Sequence, residues 1–185
     1  MLKANFITAQ EAAEKIQDGS TLCTIGMTLV SASESILKAI EKRFETVGHP
    51  ADITLVHSCG QSDRKDGIQH LAHEGLVKRI VGSHWGLQPR WMEMIANSQV
   101  EAYCLPQGQI AQLYRSMACG LPGKMSKVGL GTFIDPRVEG GKMNDRTKPL
   151  PDIVDILEYG GEEYMFYKEI PLDTVLIRGT VCDEM

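Results

Sequence analysis

Aromatic side chains are scarce in this sequence, at 6% of the residues, while glycine is plentiful, at 18. That balance argues against an all-β sandwich and for a sheet joined by many glycine turns. No run of residues is apolar over the roughly 18 positions that a membrane-crossing helix needs, and no membrane partner is expected. No basic stripe is present and the formal net charge is −5, which speaks against nucleic acid as a partner. Residues 1–6 lack the apolar core and cleavage site of a secretory leader. The five cysteines, Cys23, Cys59, Cys104, Cys119 and Cys182, are odd in number, far apart and form no Cys-x-x-Cys. They read as small buried residues of a reduced, cytoplasmic protein, not as a disulfide or zinc framework.

Motifs of several chemistries are also missing. Gly120-Leu121-Pro122-Gly123-Lys124 fails the phosphate-loop pattern, and the lone Gly26 does not make the dinucleotide fingerprint. His70 and His73 are followed by Glu74 without the spacing of a zinc helix, and they read as a surface pair, with no metal site expected. His57, Cys59 and Asp63 offer nucleophile and base types, but nothing in the order of residues pairs them. Trp85 and Trp91 read as packing residues.

What is present is a repeated unit. With 43% apolar residues the chain can build a sizeable core. Thr8 with Glu11 forms a capping box before a helix over residues 9–17. A short strand over 20–25 breaks at Gly26-Met27. Ser31 with Glu34 forms a second capping box, with Ser33 as a rival cap, before a helix bearing Ile36, Leu37, Ile40 and Phe44. The pattern continues as strand 53–57, helix 68–76, strand 79–82, helix 89–97 and strand 100–105, with Pro89 suited to a first helical turn. Strand, glycine-containing loop and helix in alternation predict an open, mostly parallel Rossmann-like α/β sheet with helices on both faces. Gly26, Gly60, Gly82 and Gly108 would line one rim, with Gly60 and Gly82 read as plain turns.

The last strand of that series runs into Leu105-Pro106-Gln107-Gly108, and a helix follows with Ile110, Leu113, Met117 and Ala118 on one face. In open α/β sheets the ligand crevice lies outside the carboxyl ends of the strands. Gly108 lets the backbone approach a ligand closely. The Gln107 amide both donates and accepts, and it is the expected contact to a substrate carboxylate or acyl group. Residues 121–151 are rich in Gly, Pro and charge and read as a long functional or disordered loop, with Val128 to Gly131 as a possible short strand. Three short strands over 152–157, 163–167 and 174–178 close the chain, the first two forming an antiparallel hairpin around Gly160-Gly161. One domain over residues 1–185 is expected.

Asp18-Gly19, the apolar run Leu22-Cys23-Thr24-Ile25, Gly26-Met27, Ser31 and Ser33 together resemble the N-terminal signature of the family I coenzyme A-transferases. That signature reads Asp-Gly, two residues, three apolar residues, Gly-Gly-Phe, three residues, Gly, one residue, Pro. Here Ile25 stands for its first Gly, Met27 for Phe, Ser31 for the later Gly and Ser33 for Pro. Leu105-Pro106-Gln107-Gly108, followed by a helix into Arg115 and Gly120-Leu121-Pro122-Gly123, is similar to the family's Pro-Gln-Gly turn and Gly-x-Pro loop. The resemblance spans nearly the whole chain and is nearest to single-chain acetate/propionate and acetoacetate-type enzymes, which carry two such halves in tandem.

The resemblance implies transfer of coenzyme A from an acyl-CoA to a carboxylic acid through a glutamyl-CoA thioester. Such chemistry belongs to short-chain fatty-acid and ketone-body metabolism. It implies coenzyme A as a substrate and no permanently bound cofactor. The family's Ser-Glu-Asn-Gly does not occur here, so no catalytic residue is expected in this chain. Cys182-Asp183-Glu184-Met185 resembles a point where such enzymes continue, which implies the N-terminal part of a longer enzyme, inactive alone. Gln107, Gly108, Gly26 and Met27 would then be its substrate-binding residues. The second half of the enzyme is the expected partner, and a severed domain is expected to self-associate as a homo-oligomer. The competing reading is a sugar-phosphate-type binding or sensor domain of the same general fold. Its phosphate would have only Lys124 and Arg90 to meet it.

Overall fold

The computed structural model describes residues 4–181; the Cys182–Met185 resemblance lies outside the described residues. The strands are β1 (Thr21–Thr24), β2 (Ile53–His57), β3 (Val77–Gly82), β4 (Glu101–Cys104), β5 (Gly123–Ser126), β6 (Val154–Tyr159), β7 (Glu162–Lys168) and β8 (Thr174–Leu176). The helices are α1 (Ala9–Glu14), α2 (Glu34–Val47), α3 (Pro89–Ala96) and α4 (Gln107–Ala118), with a 3₁₀ turn at Gly67–Leu71. Five parallel strands form the main sheet in the order β4-β3-β2-β1-β8, and a smaller antiparallel sheet has the order β5-β7-β6.

Alternation along each strand divides the core. Leu22, Leu55, Ile80 and Ala102 face α1, α2 and α3 through Ala13, Leu37, Ile40, Trp91 and Ile95. Their neighbours Cys23, Val56, Val81 and Tyr103 face the other way, onto Ile110 of α4 and onto Met165 and Tyr167 of the small sheet. Both tryptophans are buried, and Trp91 Nε1 donates to the Ile68 carbonyl at 2.8 Å. The expected parallel sheet and C-terminal hairpin are both present. The hairpin gains β5 as a third strand.

Three local expectations are corrected. The Thr8–Glu11 capping box forms, but Ser31–Glu34 does not: Ser33 is the N-cap of α2 and makes no side-chain cap bond. Ser31 instead takes a left-handed conformation, φ 63°, at the position where the resembled signature has Gly. The helix expected over 68–76 stops at Leu71, and the segment turns through Gly75 at φ 89° before β3.

The third correction concerns residues 121–151. Gly123–Ser126 is a strand and 128–131 is not. The rest is an ordered cover on the open edge of β4. Cys104 N–H donates to Gly141 O at 2.7 Å, Met143 N–H to Ala102 O at 2.9 Å, and Ala102 N–H to Thr147 Oγ1 at 2.8 Å. Asn144 Nδ2 reaches both Ile95 O and Val100 O at 2.9 Å. An uncovered edge strand presents unpaired backbone groups to any passing chain, and this segment meets them with single residues, not with a ladder. Its irregular backbone is the consequence.

Candidate active site

The strand order sets where a ligand can enter. From β1 the chain steps outward through β2 and β3 to β4, then returns over the other face to place β8 on the far side of β1. Strand order reverses between β1 and β8. Ligands of open α/β sheets bind at such a switch point, outside the carboxyl ends of the strands.

At that point the loop after β1 and the segment after β8 enclose a cleft of about 440 Å3, lined by Thr28, Leu29, Val30, Ser31, Arg178, Gly179 and Thr180. The loop is tightly determined. Gly26 has φ 153°, and a Cβ there would lie 2.8 Å from Val30 O. Met27 N–H donates to Val30 O at 3.0 Å, and Thr28, at φ 51°, donates its N–H to Gly60 O at 2.8 Å. Met27 is thereby turned outward and is 57% exposed. Gly26 serves the loop's own closure, and Met27 faces solvent at the rim.

Gln107 and Gly108 lie on the same rim, at the other end of the sheet. They are exposed in the first turn of α4, whose N-cap, Pro106, has no side chain to bond the helix. The first N–H groups of a helix have no partner within it. Gln109 and Ile110 donate their N–H groups to Pro106 O, which leaves those of Gln107 and Gly108 for a ligand, and a Cβ on Gly108 would meet nothing within 4 Å. Strands β2 and β3 stand between β4 and β1. Three interstrand spacings of about 4.8 Å put the two pairs on the order of 14 Å apart. The structure places all four residues on one rim and does not bring Gly26–Met27 into contact with Gln107–Gly108.

The rim between them is packed. His57 is fully buried; its Nδ1 donates to the Cys59 carbonyl at 2.7 Å, and burial lowers its pKa to about 4. The ring is neutral, with its tautomer set by that bond. Asp63 turns outward and accepts from the N–H groups of Lys65 and Asp66. His57, Cys59 and Asp63 therefore do not form a nucleophile and base. Gln61 is fully buried and ties Nε2 to Thr24 O at 2.7 Å, joining the loops after β1 and β2. Gly60 is more than a plain turn, because a Cβ there would lie 2.8 Å from His84 Nδ1.

His70 and His73 are not a surface pair. They sit in a hydrogen-bonded network with Glu34 and Glu41 of α2. The Lys38 ammonium lies 3.1 Å from Glu34 Oε1 and 3.3 Å from Asp66 Oδ1, pairing with both carboxylates. The sequence does carry a signal for this network, since Glu34, Lys38, Glu41 and Glu45 fall on one face of α2 at helical spacing. Arg178, the end of the last strand expected from the sequence, lies beyond β8, and only the topology brings it beside the loop after β1. Lys124 and Arg90 lie away from the cleft, in β5 and in α3 beside Glu41. Among the described residues no helix is long and apolar enough to cross a membrane.

Residues 6–185 match the coenzyme A transferase family. The chain is 43% identical over 182 residues to a caffeate CoA-transferase of Acetobacterium woodii, covering 98% of this chain and 34% of that protein. It superposes on the crystal structure of the acyl-CoA transferase YdiF apoenzyme of Escherichia coli O157:H7 with a TM-score of 0.93 at 35% identity, covering 98% of this chain and 35% of that one. The thioester complex of the same enzyme with CoA gives a TM-score of 0.89 at 36% identity, over 96% of this chain and 35% of that one. The chain spans about a third of the length of these relatives.

Proposed function

The chain belongs to the coenzyme A transferase family, and from that premise we propose that it is part of an acyl-CoA:carboxylate coenzyme A-transferase acting on short-chain acyl-CoA. The observation that carries the reading is the family match over residues 6–185. In this reading a glutamate carboxylate attacks the acyl-CoA thioester, forming a mixed anhydride and releasing CoA thiolate. The thiolate attacks the glutamyl carbonyl of the anhydride, giving a glutamyl-CoA thioester and the first free acid. The second acid reverses both steps and leaves with the CoA. A carboxylate suits the role because the anhydride it forms is reactive enough to go back.

The glutamate comes from polypeptide beyond this sequence, which holds no Ser-Glu-Asn-Gly. Residues 1–185 act as one unit and supply a wall of the site. Gln107 and the N–H groups of the first turn of α4 receive the carboxylate or acyl oxygen. The Gly26-Met27 loop and Arg178 border the cleft at the switch point, where an anionic group of coenzyme A gains a cation. Coenzyme A is a substrate, and no permanent cofactor is called for. The partner is the remainder of the enzyme, and the isolated chain self-associates.

The test is transfer of CoA from acetyl-CoA to propionate, by the chain alone and by the chain joined to the polypeptide bearing the Ser-Glu-Asn-Gly glutamate. Transfer only in the joined form is expected. Transfer by the chain alone would remove the assignment of the nucleophile elsewhere. No transfer in either form, across short-chain acids, would remove the transferase reading. A rise in melting temperature with sugar phosphates and not with acyl-CoA would put the binding-domain reading first.

A further inference from the structure

His70 lies between two carboxylates. Its Nδ1 meets Glu41 Oε2 at 2.5 Å and its Nε2 meets Glu34 Oε1 at 2.8 Å, with 13% of the side chain exposed. A neutral imidazole carries one N–H and one lone pair. Two carboxylate contacts therefore need two protons, one on each line. The count is the same if a glutamate holds one of them. Lose one proton, and a nitrogen lone pair faces a carboxylate oxygen in a site mostly closed to water.

The bridge joins two elements. Glu34 and Glu41 belong to α2, and His70 belongs to the 3₁₀ turn Gly67–Leu71. Glu34 Oε2 also accepts the Gly67 N–H at 2.9 Å. Glu34 is the first residue of α2, directly after the loop that borders the cleft. We propose that Glu34, His70 and Glu41 form a proton-dependent clamp that fastens the start of α2, and with it the 26–33 loop, to the 3₁₀ turn. Above the His70 titration one of its two contacts is released. This inference stands on the bridge itself and is independent of the transferase reading.

The surrounding charges favour the proton. From α2 the bridge meets Glu34, Lys38, Glu41 and Glu45. From the 3₁₀ segment it meets Asp66, 3.4 Å from His70 Nε2, and His73, whose Nε2 is 2.9 Å from Glu41 Oε1. From α3 it meets Arg90, 3.6 Å from Glu41 Oε1. Four carboxylates outnumber two fixed cations. Burial works against a charged His70, but the hydrogen bonds to Glu41 and Glu34 outweigh it, and the pKa lies above the ordinary histidine value. A group raised in the folded state stabilises it fully below its unfolded pKa and loses that contribution as pH rises through the folded one.

The experiment is NMR titration of the imidazole protons on the full chain, with amide hydrogen exchange at Gly67 followed over the same pH range. His70 is expected to titrate above the ordinary value of about 6.5. Gly67 protection, corrected for intrinsic exchange, is expected to fall several-fold in step with it. The Glu41→Gln substitution is expected to lower the His70 midpoint by about one pH unit. A His70 midpoint at or below the ordinary value overturns the proposal, and so does Gly67 protection that stays flat through the titration. An unmoved midpoint in a folded E41Q chain overturns it as well. Should E41Q not fold, the first two measurements decide.

Discussion

The His57 ring fills the space that a side chain at Gly82 would need: a Cβ built there collides with His57 Nε2, Cε1 and Cδ2. Adjacent strands β2 and β3 approach the rim with one residue large and its neighbour reduced to a hydrogen. The Gly82→Ala substitution must push the ring away or spread the strands. Overpacking of this kind costs roughly 1–3 kcal/mol. At about 2–4 °C per kcal/mol for a chain of this size, calorimetry should show a melting temperature lowered by several degrees.

The same ring sets the acid side of the stability curve. His57 is buried neutral, with its pKa lowered to about 4, whereas in the unfolded chain it takes up a proton near pH 6.5. Its contribution is whole above pH 6.5 and declines as pH falls toward 4. The loss over that window is on the order of 3 kcal/mol. Denaturant unfolding at pH 7 and at pH 4.5 should show it, and a folded His57→Gln chain should show a shallower decline.

Ser31 holds a conformation that favours glycine, φ 63°. The left-handed region costs a residue with a Cβ about 1–2 kcal/mol, partly offset by the greater chain entropy of glycine. The Ser31→Gly substitution is expected to raise stability by up to about 1 kcal/mol, read from the urea midpoint at unchanged slope. Gly26→Ala, which closes on Val30 O, is expected to lower it.

Asn144 holds the covering segment to the edge of β4. Its amide donates to Ile95 O and Val100 O, and its Oδ1 accepts from both Thr147 N–H and Thr147 Oγ1. The Asn144→Ala substitution takes the side-chain donor from the buried Val100 O and the acceptor from the buried Thr147 hydroxyl, while Ile95 O keeps the Ser98 N–H; each buried group left unsatisfied costs roughly 1–3 kcal/mol. Faster amide exchange in β4 and a lower melting temperature are the expected outcomes, with aggregation as the edge opens.

Gln107 is exposed at the start of α4, and among the described residues its side chain makes no hydrogen bond to the rest of the fold. In the joined enzyme Gln107→Ala is expected to lower kcat/KM for the carboxylic acid roughly tenfold or more, the equivalent of one hydrogen bond to a charged group. The melting temperature should not move. Unchanged kinetics would take Gln107 out of the site.

Local signals in the order of residues were enough for the alternation of strands and helices, the Thr8–Glu11 cap, the hairpin at Gly160-Gly161 and the buried tryptophans. Each depends on neighbours a few positions away: apolar period, cap spacing and turn residues. They also carried the family signature, through Gly26 and through Leu105-Pro106-Gln107-Gly108. They did not decide which loops share a crevice. Placing β8 beside β1 brings Arg178 to the loop after β1, and inserting β2 and β3 moves Gln107 away from it. Within 121–151, the irregular stretch from Gly141 to Thr147 is held where the backbone groups of β4 meet partners, a demand that exists only once β4 is a sheet edge. His70 becomes a bridge only when the 3₁₀ turn packs on α2. Charge placement and edge pairing depend on distances across the fold, and those are set by which strands lie side by side, not by spacing along the chain.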